Sequence, residues 1–153
     1  MPLKVLTIDD DAAMTDLIGL LLRSYGLDVL SSNDGEQGLA LARSETPDLI
    51  LLDLTMPGLD GWEVCKTIRT FSKVPVVVLS ALDDPAIISS ALDAGADDYL
   101  VKPVPSSVLI AHINTLTRRA QVENNKSTLL RQTGSLKQNN DPFNNVEQRP
   151  LQA

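Results

Sequence analysis

The chain has 153 residues, 43% hydrophobic and 22% charged, with one cysteine, one histidine and a formal net charge of −7. That length can bury a full core without disulfides, a lone Cys65 beside a lone His112 leaves no zinc ligand set, and no apolar run approaches the roughly 18 residues that span a bilayer, so a cytoplasmic setting is expected. Residues 1–120 carry 17 Asp and Glu against 9 Lys and Arg, whereas 121–153 carry 3 against 4; an acidic body of this kind disfavours direct contact with nucleic-acid phosphates.

Along the chain, strand and helix patterns alternate five times. A strand over 3–8 ends in Asp9-Asp10, and a helix over 11–25 repeats Met14, Leu17, Ile18, Leu21 and Leu22. Gly26 precedes a strand over 27–31, and Gly35 opens a helix over 35–44 with Leu39, Leu41 and Ala42. After Pro47 a strand over 48–53 ends in Asp53; the Pro57-Gly58 turn leads to a helix over 60–71 with Val64, Ile68 and Phe71. The run VPVVVL over 74–80 ends in Ser80 and is followed by a helix over 84–94 with Ile87, Ile88, Ala91 and Leu92. Past Gly95, a strand over 97–101 ends in Lys102-Pro103, and a helix over 105–119 repeats Leu109, Ile113 and Leu116.

This alternation predicts an α/β domain over 1–120: a doubly wound, five-stranded parallel sheet with helices on both faces. Right-handed crossovers favour the flavodoxin-like order 2-1-3-4-5. From Gln121 the chain is rich in Asn and Gln, and Phe143 is its only aromatic residue there. Such composition buries too little to offset chain entropy, so 121–153 is expected to be a mobile tail, with Leu129-Leu130 as the alternative, extending the last helix or docking on a partner.

In a parallel sheet the carboxyl ends of all strands share one rim, where ligands bind. Asp9, Asp10, Asp53, Ser80 and Lys102 are therefore placed together. Converging carboxylates repel, and oxygen donors with little histidine suit a hard cation, Mg²⁺ first and Mn²⁺ as an alternative. Asp53 is the candidate nucleophile for an in-line phosphoryl transfer, with Lys102 and the Ser80 hydroxyl as phosphoryl-stabilising groups. Each residue also has a plainer reading: Asp9 to Asp11 as helix N-caps, Ser80 as a strand end, Lys102 as a surface lysine. Their joint spacing favours chemistry.

The segments TIDDD, LLDLTMPGLDGWE, VVVLSA and GADDYLVKP resemble, in order, the motifs of the receiver domain of bacterial two-component response regulators, the CheY-like superfamily, over residues 3 to 120. The resemblance implies that Asp53 accepts phosphoryl from a histidine kinase or phosphotransfer protein. It implies Asp10 as a direct Mg²⁺ ligand, Asp9 as a water-mediated one and the Thr55 backbone carbonyl as a further ligand. Ser80 and Lys102 match the family's hydroxyl and lysine, Tyr99 its aromatic switch, and Lys102-Pro103 a cis peptide. Thr55 and Leu82 match positions that tune dephosphorylation. By the same resemblance the chain is a signalling switch, catalysing only its own phosphorylation and dephosphorylation.

DDYLVKP and the Arg pair closing the last helix look most like the OmpR-type branch, in which a winged-helix domain follows. The 33 residues after Ala120 are too few for one, so the expectation is a stand-alone receiver or a piece of a longer protein. In that branch charged residues pair across a two-fold. Here Ile88, Val108, Asn114 and His112 replace them, and Ile88, Leu92, Val108, Ile110 and His112 form a candidate partner face, leaving a monomer or weak phosphorylation-dependent dimer. His112 alone reads as a surface or rim residue, and Trp62 and Cys65 as packing. Two other readings are a phosphorylation-independent receiver-like adaptor and a haloacid-dehalogenase-type phosphatase. The first would lack one of the site residues, and the second needs its metal-binding acids after the nucleophile.

Overall fold

The computed structural model describes residues 2–139. Five strands, β1 (Lys4–Ile8), β2 (Asp28–Ser32), β3 (Leu49–Leu52), β4 (Val76–Ser80) and β5 (Asp98–Val101), alternate with α1 (Ala12–Ser24), α2 (Gly35–Glu45), α3 (Gly61–Arg69), α4 (Pro85–Asp93) and α5 (Ser106–Asn139). The strands form one sheet in the order β2-β1-β3-β4-β5, and every neighbouring pair is parallel. The predicted architecture and element order are those observed, with bounds shifted by at most two residues apart from the end of α5.

The two faces of the sheet follow from the alternation of side chains along a strand. Leu6, Ile8, Ile50, Leu52, Val76 and Val78 face one way and pack with Ala42 of α2, Val64, Cys65 and Ile68 of α3 and Ala91 of α4. Val5, Leu49, Leu51, Val77 and Leu79 face the other way, against Ile18 and Leu22 of α1 and Leu109 and Ile113 of α5. All four residues of β3 and all five of β4 are buried, and each such aliphatic side chain contributes about 1.5–3 kcal/mol by leaving water. The continuous apolar runs of the sequence are therefore the central strands, covered on both sides.

Aspartates start the first four helices. Asp11, Asp34, Asp60 and Asp84 cap α1 to α4, each accepting hydrogen bonds from first-turn N–H groups. This satisfies donors that lack an intrahelical partner and accounts for part of the acidic excess.

At the edge holding the amino-terminal ends of the strands, charges pair with one another. Lys4 Nζ lies 3.3 Å from Glu45, and the Lys4 backbone N–H donates to Asp48 at 2.8 Å. Arg69, in the last turn of α3, donates to the carbonyls of Ser72, Val74 and Gly95 and to the Asp97 carboxylate at 2.7 Å. Asp97 in turn accepts the Val76 N–H at 2.8 Å.

Contacts divide the chain at Thr117–Arg118 rather than after Ala120. The segment from Gln121, expected above all to be a mobile tail, is helical through Asn139, and Val122, Leu129 and Leu130 are exposed on it. Helix needs only backbone hydrogen bonds, so polarity excludes a packed core without excluding helix. Residues 140–153, including Phe143, lie outside the described residues. No helix among the described residues is long and apolar enough to cross a membrane.

Candidate functional site

The first and third strands lie side by side, with Ile8 opposite Leu52. The residues that follow them therefore emerge next to each other at the rim, and the Asp53 N–H donates to the Ile8 carbonyl at 2.9 Å. Asp9, Asp10 and Asp53 each offer a carboxylate oxygen, and these oxygens lie within 4.8 Å of one another. Asp9 and Asp53 are buried at 5% and 7% exposure while Asp10 is exposed, so the cluster opens to solvent on one side.

The run of three aspartates, equivalent in sequence, divides by position. Asp11 is consumed as the cap of α1, accepting from Ala13 and Met14 at 3.0 and 3.3 Å. Asp9 accepts the Asp11 N–H through Oδ1 and the Lys102 ammonium, at 2.9 Å, through Oδ2. Both of its oxygens are thus engaged by protein donors, which suits a role at one remove from a cation. Among the described residues, no hydrogen bond or ion pair engages the Asp10 carboxylate, which suits direct ligation. An all-oxygen donor set on flexible carboxylates fits a hard divalent ion such as Mg²⁺.

Burial raises the pKa of Asp53 above its ordinary value, and the charge of Asp9 raises it further. The Lys102 ammonium and the Leu54 N–H oppose these effects, and Asp10 adds a smaller upward push. Lys102 is therefore close enough to act on Asp53, although its ion pair is with Asp9. The Lys102–Pro103 peptide is cis.

Ser80 ends β4 and is fully buried. Its Oγ accepts the Leu82 N–H at 3.2 Å, and the Leu82 carbonyl accepts the Tyr99 hydroxyl at 2.7 Å. A single residue, Leu82, thereby links Ser80 to half-buried Tyr99, its N–H bonded to one and its carbonyl to the other. Thr55 is exposed, two positions past Asp53.

The residues of the expected partner face lie on α4 and α5. Leu92 and Val108 are 43% and 40% exposed, while Ile88, Ile110 and His112 are half-buried. His112 has a specific partner that a lone-histidine reading did not give it: its Nδ1 contacts the Asp98 carboxylate of β5. Cys65 is buried in the core, where burial raises its thiol pKa, and the Trp62 indole N–H donates to Ser90 of α4 at 2.9 Å.

Gly61 is a site residue that sequence reasoning missed. An added Cβ there would stand 2.3 Å from the Asp53 carbonyl oxygen and 2.6 Å from the Leu54 Cα. Only a residue without a Cβ lets α3 begin against the backbone of Asp53 and Leu54, and the available signal was the glycine directly after the capping Asp60.

The sequence profile of the response regulator receiver domain matches residues 5–114. The transcriptional regulatory protein AfsQ1 of Streptomyces coelicolor is 44% identical over 124 residues, 81% of this chain and 55% of that protein. The DNA-binding response regulator MtrA of Mycobacterium tuberculosis is 40% identical over 116 residues, 76% of this chain and 51% of that protein. This chain thus spans about half the length of the curated relatives it matches. Among solved structures, the Francisella response regulator 1452 receiver domain is 36% identical with a TM-score of 0.73, covering 76% of this chain and 98% of that one. The BeF3-activated receiver domain of Klebsiella pneumoniae RstA is 33% identical with a TM-score of 0.73, covering 75% and 98%. With the parallel sheet, the acid cluster at its rim and the lysine beside it, these matches place the chain in the response regulator receiver domain family.

Proposed function

We propose that the chain is a phosphorylation-activated switch in which Asp53 accepts a phosphoryl group from a histidine kinase or phosphotransfer protein in the cytoplasm. The observation that carries this reading is the placement of Asp53 at the end of a buried strand, with the Asp9 and Asp10 carboxylate oxygens within 4.8 Å. Asp9, Asp10, Asp53 and the Thr55 carbonyl would hold Mg²⁺, or Mn²⁺ in its place. The ion, when bound, supplies positive charge to the acids and to the phosphoryl oxygens.

A carboxylate oxygen of Asp53 attacks phosphorus, the phosphorus–nitrogen bond of the donor phosphohistidine breaks, and the histidine nitrogen leaves with its electron pair. Lys102 stabilises the charge on the transferred group, and the Ser80 hydroxyl donates to another of its oxygens. The product carries roughly one more negative charge than the carboxylate and more acceptor oxygens. When Ser80 turns toward it, the Leu82 N–H loses its hydroxyl acceptor, and the same residue, through its carbonyl, carries the change to Tyr99. The output is a shifted population of the face built from Ile88, Leu92, Val108, Ile110 and His112, where a downstream protein docks.

The chemistry performed is therefore phosphorylation and dephosphorylation of the chain itself. The phosphatase and adaptor alternatives have no observation in their favour. Incubation with a small acyl phosphate and Mg²⁺, followed by intact mass measurement, should give one phosphoryl adduct that Asp53→Asn abolishes. No adduct from either a kinase or the small donor, or an adduct that survives Asp53→Asn, would overturn the proposal.

A further inference from the structure

Asp10 is the acid of the cluster that no protein partner aims, so its direction comes from its backbone. That backbone is held from outside its own loop. Asn33, in the turn between β2 and α2, donates through Nδ2 to the Asp9 carbonyl at 2.8 Å and to the Thr15 Oγ1 at 3.1 Å. The preceding residue completes the grip, because the Asp9 N–H donates to the Ser32 carbonyl at 3.1 Å. Ser32, the last residue of β2, and Asn33 after it thus hold the peptide groups on both sides of the Asp9 Cα.

The Asp9 carbonyl belongs to the planar peptide that joins Asp9 to Asp10. Fixing its oxygen fixes the plane, and with it the direction in which the Asp10 side chain leaves the chain. Thr15 anchors the other end. It is 2% exposed, and its hydroxyl donates to the Ala12 carbonyl at 3.1 Å while accepting from Asn33. The amide's two hydrogens therefore serve two acceptors, one on each side of the 9–11 segment. Apart from the Lys102 ammonium, which holds the Asp9 side chain rather than the backbone, the remaining ties of that segment, Asp11 to the first turn of α1 and to Asp9, are local to it.

The geometry points to Asn33 as a positioning residue that presets Asp10 for a divalent cation. This inference rests on the reading of Asp9, Asp10 and Asp53 as a cation site. Asn33 is itself exposed, so water can satisfy the Asp9 carbonyl when the amide is removed. Water does not impose a direction, and the loss falls on cation affinity rather than on folding.

The test is calorimetric titration of MgCl₂ into the full chain, without phosphoryl donor, for the wild type, Asn33→Leu, Asn33→Ala and Thr15→Val. Partners that orient metal ligands typically contribute 10- to 100-fold in affinity, and an exposed one belongs at or below the bottom of that range. Both Asn33 variants should weaken Mg²⁺ binding about 3- to 10-fold, with thermal midpoints within about 2 °C of the wild type. Thr15→Val should weaken it less. In adduct formation from a small acyl phosphate, the Mg²⁺ concentration at half-maximal rate should rise by the same factor while the saturated rate holds. A lowered midpoint with unchanged Mg²⁺ affinity makes Asn33 merely structural and overturns the inference, as does wild-type affinity in both variants. Failure of the wild type to bind Mg²⁺ overturns the cation-site reading and the inference with it.

Discussion

Gly61→Ala should damage the site through the backbone alone. The new Cβ would meet the Asp53 carbonyl oxygen at 2.3 Å, the Leu54 Cα at 2.6 Å and the Asp53 carbonyl carbon at 3.0 Å. All three atoms are main chain, so no side-chain rotation relieves the contact, and reaching ordinary separation requires a shift of about 1 Å. Overpacking of this kind costs about 1–3 kcal/mol, and alanine's helix preference over glycine returns up to about 1 kcal/mol. A net loss of about 1–2 kcal/mol in urea denaturation follows. The same shift displaces Asp53 from Asp9 and Asp10, and a misplacement of about 1 Å can slow a positioned reaction about 100-fold. Adduct formation from a small acyl phosphate, followed by intact mass, should slow about 10- to 100-fold. Gly26→Ala is the control: φ there is +83° with nothing within 4 Å, so it should cost about 1–2 kcal/mol of backbone strain while leaving the rate alone. Wild-type stability and rate in Gly61→Ala would refute the reasoning, and so would an equal loss of rate in Gly26→Ala.

Asp53→Asn should stabilise the metal-free protein. At the 4.8 Å bound on oxygen separation, repulsion from Asp9 is on the order of 3 kcal/mol at an effective dielectric near 20, and lost attraction to Lys102 reduces the gain to about 1–2 kcal/mol. Because the folded-state pKa of Asp53 is raised, the native state binds its proton more tightly than the unfolded chain does. Wild-type stability from this group is fully present below its unfolded pKa and is lost as pH rises through the folded one. The advantage of Asp53→Asn in denaturant should therefore grow with pH and vanish in acid; a pH-independent difference would contradict it. Sedimentation with and without a beryllofluoride mimic addresses the α4–β5–α5 face. With Ile88 and Val108 where charges would pair across a two-fold, the chain should remain monomeric in both states, and a mimic-dependent two-fold dimer through this face would refute partner docking there.

The strands were legible because β3 and β4 are unbroken apolar runs, and the site was legible because its residues close those runs. What stayed hidden depends on contacts between distant segments. Three successive aspartates look alike until a helix start assigns Asp11 to capping and leaves Asp9 and Asp10 at the rim. Gly61 reads as punctuation beside a capping aspartate, since its close approach to Asp53 exists only once α3 packs under that loop. Asn33 is a polar turn residue until β2 lies beside β1. His112 reads as an isolated titratable group because Asp98, its partner, lies on a different element. The polarity of 121–139 correctly signals exposed side chains at Val122, Leu129 and Leu130, yet has no bearing on whether the backbone hydrogen-bonds to itself.

The pairing of Lys4 with Glu45 and Arg69 with Asp97 shapes the field around the domain. Opposite charges in contact largely cancel at a distance, so these two pairs add little to the potential in solvent. At the opposite edge three carboxylates of the cluster meet the single ammonium of Lys102. The site is therefore a local negative pole. Such a pole concentrates small cations and speeds their arrival, while it repels a bare phosphate ester. A phosphoryl donor approaches this pole favourably only when it brings positive charge of its own or finds the cation already there, which makes the field a filter on which donors reach Asp53.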